Sequence, residues 1–167
     1  MAIKVGDRLP EGNLTEMIDT ERPGCTVGPN NFAVQDLTKG KKIVIFGVPG
    51  AFTPTCSAKH VPSYTQNIDK LRAKGVDEVW CISVNDAFVM GAWGREQKAG
   101  GKVRMMADGS ALFTKALGLD MDLTARGMGV RSQRYSMLVE DGTVKAVNVE
   151  APGKFEVSDA DTMLKQV

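Results

Sequence analysis

The sequence predicts an α/β protein, a central mixed β-sheet with helices on both faces. Three observations carry that expectation. The run Ile43-Val44-Ile45-Phe46 is continuous, apolar and rich in β-branched residues, as a strand covered on both sides must be. Such runs alternate with helical stretches along the chain, the pattern of a sheet layered between helices. Later, residues 135–140 and 143–149 are strand-like runs joined by Asp141-Gly142, a strong hairpin signal.

Taken in order, residues 21–31 are rich in Gly, Pro and Asn and read as a loop. The strand at 43–46 follows Gly40-Lys41-Lys42 and leads into a turn-rich connection over 47–54. A helix is expected from Pro54 or Thr55 to about Ala73, with Gly75 as its stop. Residues 78–84 form a second buried strand, and Asn85 or Asp86 caps a helix reaching about Lys98. A short strand at 102–106 and a short helix at 110–117, ended by Gly118, come next. The last helix is expected to start at Ser158 as N-cap. No repeat, low-complexity tract or linker interrupts this series, so residues 1–167 are expected to form one domain. In such sheets chemistry gathers where a strand's carboxyl end meets the next helix, here residues 49–56.

Composition excludes several classes. Hydrophobic residues make up 43% of the 167 and charged residues 25%, near the averages for soluble globular proteins. Twenty-one basic against twenty acidic residues leave a net charge of +1, so no broad field favours nucleic acid or an acidic membrane surface. The longest apolar run, residues 43–49, falls far short of the roughly 20 residues that cross a bilayer. MAIKVGDRLPEGNL has no leader pattern, and a cytoplasmic protein is expected. Three cysteines (Cys25, Cys56, Cys81) lie far apart beside a single histidine, His60. That set does not cluster as zinc ligands do, so neither metal nor other cofactor is expected. An odd cysteine count in such a chain points to a reactive thiol more than to a disulfide framework.

Pro49-Gly50-Ala51-Phe52-Thr53-Pro54-Thr55-Cys56 is the segment with chemistry in it. A cysteine in the first turn of a helix faces unpaired N–H groups and the positive end of the helix dipole, which favour the nucleophilic thiolate. Thr53 supplies a hydroxyl for the sulfur or for a small oxygen-bearing substrate. Pro49 and Pro54 restrict the backbone, and Pro54 suits a helix start. A helix end contributes roughly 0.3–1 kcal/mol when exposed and about 2 kcal/mol when partly buried. A full cation nearby is therefore also required. His60, four residues after Cys56, shares its helix face and either tunes the thiolate or packs structurally.

These residues resemble a known family. PGAFTPTC carries the P-x-x-x-T-x-x-C pattern of peroxiredoxins, and VPGAFTPTCSAKHVP is similar to their type II, or peroxiredoxin-five, subfamily. CISVND, FVMGAW and RYSMLVEDGTVKAVNVE match in order, so the resemblance covers nearly the whole chain. It implies a thioredoxin-like fold and a thiol-dependent peroxidase with Cys56 as peroxidatic cysteine, Thr53 as its hydroxyl partner and Arg134 as the cation. Pro49, Thr55 and His60 would line the substrate pocket. Arg131 and Arg126 stand nearby, but solvated loop charges are the expectation for both. The substrate would be hydrogen peroxide or an organic hydroperoxide, and Cys56 would become a sulfenic acid.

How that acid is reduced again stays open. In some members resembling this chain a resolving cysteine follows the last hairpin, but residues 151–158 contain none and Ser158 stands there. Cys81 has the spacing of the second cysteine of plant type II members, yet it falls in a buried-looking strand. A disulfide needs Cα atoms within about 7 Å. Cys81 is thus either core or resolving thiol, and Cys25 is an incidental loop thiol. Glutaredoxin with glutathione is the expected reductant and thioredoxin the alternative; the family also implies a homodimer. A disulfide reductase is disfavoured because Lys59, not cysteine, stands three residues beyond Cys56. A redox-sensing or chaperone-like module would keep the reactive cysteine without turnover, and a structural dimerisation domain would leave Thr53, Cys56 and Arg134 unexplained. The nine methionines read as core filler, while Trp93 is either core or a partner-facing residue.

Overall fold

Strand β3 (Lys42–Val48) shows why the chain layers as it does. In the computed structural model, which describes residues 1–167, its side chains alternate between two buried faces. Ile43 and Ile45 enter one apolar cluster with Trp80, Met106 and Phe113. Val44, Phe46 and Val48 enter the other with Cys56, Tyr64, Cys81 and Trp93. Burying each such side chain stabilises the fold by roughly 1.5–3 kcal/mol, so a single strand ties both layers together.

Parallel to β3 lies β4 (Glu78–Ser83), and parallel to β4 lies β5 (Arg104–Ala107). On the other flank, β3 pairs antiparallel with β8 (Tyr135–Glu140), which turns back into β9 (Thr143–Val149). Asp141 and Gly142 both have positive φ, at 47° and 80°, as the expected two-residue hairpin requires. Two further strands, β1 (Asn13–Ile18) and β2 (Gly28–Ala33), extend the sheet beyond β5. The order is β2-β1-β5-β4-β3-β8-β9, and β6 (Asp120–Leu123) with β7 (Gly129–Ser132) forms a separate small ribbon. Helices α1 (Val34–Thr38) and α5 (Leu112–Leu117) pack on one face of the sheet. Helices α2 (Val61–Gln66), α3 (Ile68–Ala73), α4 (Ala87–Glu96) and α6 (Ala160–Leu164) pack on the other. No helix is long and apolar enough to cross a membrane.

Four expectations about elements need correction. The loop expected over 21–31 gives way at Gly28 to strand β2, where Pro29 is tolerated because an edge strand can leave one ladder position without a donor. Strands β1, β6 and β7 were not expected. The helix expected from 54 to 73 begins at Pro54 but is not one α-helix. Residues Cys56–His60 form a π-helical turn in which the Val61 N–H donates to the Cys56 carbonyl. Pro62 has no N–H to give the preceding turn, which accounts for the wider winding there. Asn67, at φ −111°, then separates α2 from α3. Finally, Ser158 does not cap α6, whose N-cap position is Asp159. Asp86 does cap α4, accepting the Val89 N–H at 2.9 Å.

Two close approaches fix the middle of the sheet. Gly47 faces Tyr135 so tightly that a Cβ there would lie 2.1 Å from the tyrosine ring. Phe46 stacks on Tyr64, with centroids 4.2 Å apart and planes 6° from parallel. Trp93 is fully buried, which settles its place as core, and its Nε1 donates to Ser57 Oγ at 3.0 Å.

Candidate active site

The connection after β3 is tied down before it reaches Cys56. The Ala51 N–H donates to Asn85 Oδ1 at 3.0 Å, and Thr53 Oγ1 donates to the Gly50 carbonyl at 2.7 Å. The Ser57 N–H reaches back to the Thr53 carbonyl. Phe52 holds a left-handed φ of 63°, rare for a bulky residue, with its ring half exposed. Cys56 then opens the π-helical turn and is fully buried.

Arg134 arrives from the link between β7 and β8. Its Nη2 donates to Cys56 Sγ at 3.2 Å and its Nη1 to His60 Nδ1 at 2.9 Å. His60 Nε2 meets the Ser158 carbonyl at 3.0 Å. That oxygen can only accept and the guanidinium can only donate, so the ring carries its proton on Nε2 and offers a lone pair at Nδ1. The same logic makes His60 neutral. Burial pulls its pKa down to about 3, and the positive Arg134 pushes the same way, against the Ser158 hydrogen bond and the charge of Glu150. Phe46, Tyr64 and Phe155 enclose the imidazole, and Arg134 Cζ lies 5.9 Å from the Phe155 centroid.

Two placements differ from expectation. The Thr53 hydroxyl gives its proton to Gly50 rather than to sulfur, which leaves its oxygen as an acceptor. Arg131 is not a solvated loop charge. It is half buried, donates to the Met128 carbonyl at 2.9 Å and reaches the Pro49 carbonyl at 3.4 Å. A Cβ on Gly50 would meet its Nη1 at 2.8 Å, so the guanidinium packs against the loop that leads to Cys56. Arg126 is exposed, as expected. Thr55 is half buried at the mouth of the turn.

Sequence reasoning missed Glu150 and Ser158 as partners. The Glu150 carboxylate accepts the N–H groups of Glu156, Val157 and Ser158 and the Ser158 hydroxyl at 2.7 Å. Burial alone would raise its pKa; these hydrogen bonds outweigh burial and hold the carboxyl below the usual range. An acidic residue at a strand end, followed directly by Ala-Pro-Gly, was the available signal.

The other two thiols lie in different surroundings. Cys81 is fully buried on β4, opposite Phe46 and within the same apolar cluster as Cys56. Burial pushes its thiol pKa well up, and Cys56 adds to that against the opposing pull of Arg134. All three cysteines are free. Cys25 is half buried in a cleft of about 580 Å³ with Arg104 and Met105, at the end of the sheet away from Cys56. No three His, Cys, Asp or Glu side chains converge as metal ligands would.

What converges is a buried sulfur, a guanidinium with only neutral or sulfur partners, and a hydroxyl oxygen on the adjoining loop. Comparison with known proteins follows the same lines. Residues 4–164 match the family model described as Redoxin. The chain is 46% identical over 163 residues to Peroxiredoxin-2B of Arabidopsis thaliana, covering 98% of this chain and 97% of that protein. The structure of reduced Prx3 in complex with hydrogen peroxide from Vibrio vulnificus superimposes with a TM-score of 0.90 at 50% identity, over 98% of both chains. A Burkholderia cenocepacia structure described in terms of a thioredoxin reductase superimposes with a TM-score of 0.99 at 63% identity, over 100% of this chain and 99% of that one. Lys59 occupies the place a second thiol would need for Cys-x-x-Cys disulfide chemistry in this chain.

Proposed function

The chain belongs to the redoxin family as a type II peroxiredoxin of the thioredoxin-like superfamily and is a thiol peroxidase, and from that premise we propose that Cys56 is its attacking sulfur. The observation that carries the assignment is the 3.2 Å contact from Arg134 to Cys56 Sγ, made by a guanidinium whose other bond goes to a neutral imidazole.

The Cys56 thiolate attacks the terminal oxygen of a hydroperoxide along the O–O axis. An S–O bond forms, the O–O bond breaks, and the departing oxygen leaves with the electron pair and takes up a proton. The products are Cys56 sulfenic acid and water or an alcohol. Arg134 donates to the sulfur and to the oxygen on which charge develops, joined by backbone N–H groups near Thr55 and Cys56. The Thr53 oxygen, its own proton held by Gly50, accepts from the peroxide O–H. Pro49, Thr55 and His60 shape the pocket.

Reduction of the sulfenic acid follows a one-cysteine course, with glutaredoxin and glutathione as reductant and thioredoxin as the alternative. The burial of Cys81 and its raised thiol pKa support this course, because a protonated core thiol is a poor nucleophile. A homodimer belongs to the same reading. Phe52, Phe88 and Leu112 are 52%, 66% and 73% exposed, and all three follow the carboxyl ends of the parallel strands. Sedimentation of the protein alone tests it, and a monomer at micromolar concentration counts against it.

Peroxide consumption by wild type, Cys56→Ser and Cys81→Ser, each with glutaredoxin–glutathione and with thioredoxin, tests the scheme. Cys56→Ser is expected to abolish turnover, and substantial residual turnover overturns the assignment. Cys81→Ser is expected to retain turnover with glutaredoxin. Collapse under both reductants in a folded variant would make Cys81 the resolving thiol.

A further inference from the structure

Arg134 is held by few groups for a residue that must aim at one sulfur. Its guanidinium has a single hydrogen-bonded anchor, His60 Nδ1, and one ring beside it, Phe155. The His60 lone pair points at Arg134 only while Nε2 donates to the Ser158 carbonyl, which also accepts the Tyr64 hydroxyl at 2.8 Å. Both Phe155 and that carbonyl belong to residues 151–158, a segment without helix or strand. Their position therefore depends on whatever folds that segment.

One side chain folds it. The buried Glu150 carboxylate gathers the N–H groups of Glu156, Val157 and Ser158 and the Ser158 hydroxyl, and none of these partners is a Lys or Arg. At its other end, the Glu150 N–H donates to the Arg134 carbonyl at 2.9 Å. Glu150 thus grips the active-site arginine by its backbone and the segment that orients its side chain by a carboxylate. We propose that Glu150 is a positioning residue for peroxide reduction, acting through Ser158 and His60 to keep Arg134 aimed at Cys56. The inference rests on the reading of Cys56 and Arg134 given above.

Glu150→Gln tests it, since it removes the negative charge that gathers these N–H groups and puts an amide donor where one carboxylate oxygen now accepts the Glu156 N–H. The expected result is a fall of about ten- to a hundredfold in the rate constant for hydrogen peroxide. The pH profile of Cys56 alkylation by iodoacetamide is expected to move to higher pH, because the cation beside the sulfur is no longer held there. His60→Ala should do the same, and the double variant should be no worse than the worse single one. A residue that merely supports the loop would lower the melting temperature yet leave the alkylation profile in place and multiply with His60→Ala. Either of those results overturns the proposal. Ser158→Ala removes one donor to the carboxylate and decides the matter if Glu150→Gln does not fold. Its smaller loss of rate must vanish in the His60→Ala background, and persistence there also overturns the proposal. Cys56→Ser in parallel separates the two readings. If it retains turnover, the site assignment fails; if it is inactive while Glu150→Gln matches wild type, only the positioning role fails.

Discussion

Two arginines stand at opposite ends of the sheet in different company. Arg104, at the start of β5, is gripped by carboxylates. Its Nε and Nη2 reach Glu16 at 3.1 and 2.7 Å, and its Nη1 reaches Glu78 at 2.8 Å. Glu78 is shared with Lys41 at 2.6 Å and with the Trp80 indole. Arg134, ahead of β8, has an imidazole lone pair and a sulfur instead. A guanidinium between carboxylates is compensated, and its positive potential ends within the cluster. One held by a neutral ring keeps that potential for whatever lies in front of it. The pKa of Arg104 shows the first case: burial would lower it, but Glu16 and Glu78 raise it well above its ordinary value. Both residues are part-buried arginines with hydrogen-bonded side chains, and the charge of their partners separates a structural clamp from a reactive one.

Removing each arginine should expose this difference. Arg134→Met is expected to lower the rate constant for hydrogen peroxide by about 10²–10³-fold, measured by stopped-flow mixing, with stability nearly kept. Equal rates in variant and wild type would erase the contrast. Arg104→Met should behave in reverse, leaving the peroxide rate unchanged while lowering unfolding stability by about 2 kcal/mol, because Glu16 and Glu78 lose the cation they share and keep only Arg22 and Lys41. Urea denaturation reads that loss, and a difference below about 0.5 kcal/mol would mark the cluster as an ordinary surface network.

The smallest effect sharpens the comparison from the side of His60, the neutral partner. Its pKa is about 3 in the fold against an ordinary 6.5. Between those values the unfolded chain binds a proton at this residue and the folded chain does not. Its contribution to stability is therefore complete above pH 6.5 and is lost as pH falls toward 3, at about 1.4 kcal/mol per unit. The chain has one histidine, so no other can produce this slope above the carboxylate range. In His60→Gln, the stability curve from urea midpoints between pH 6.5 and 5 should be flatter by that amount. Parallel curves would mean that the ring is charged in the fold.

The parts of the molecule legible in the sequence are those with local signals. Ile43 to Phe46 announces a two-faced strand by composition, Asp141-Gly142 announces its hairpin by turn chemistry, and Asp86 announces a cap. Strands β1 and β2 carried no such signal, since buried Glu16 in β1 and Pro29 in β2 contradict strand composition until Arg104 and an edge position account for them. Thr53 was readable as a hydroxyl on the loop ahead of Cys56 but not in its bonding, because a hydroxyl that can reach the carbonyl three residues back competes with any distant partner. Arg131 and Arg126 look alike in sequence; only the fold turns Arg131 against Pro49 and leaves Arg126 in solvent. The bonding of Glu150 was unreadable for a related reason. Its partners lie six to eight residues away across an irregular segment, where no periodicity links donor to acceptor.

The contact between Gly47 and Tyr135 has a consequence for the history of such chains. With only 2.1 Å between the ring and an added Cβ, no side chain fits at position 47 while tyrosine remains at 135. Across descendants of a common ancestor the two positions should behave as one heritable character, glycine lasting as long as the large ring does. A lineage that enlarged position 47 would first have to shrink 135, the immediate neighbour of Arg134, and pass through an intermediate with a cavity beside its own active site.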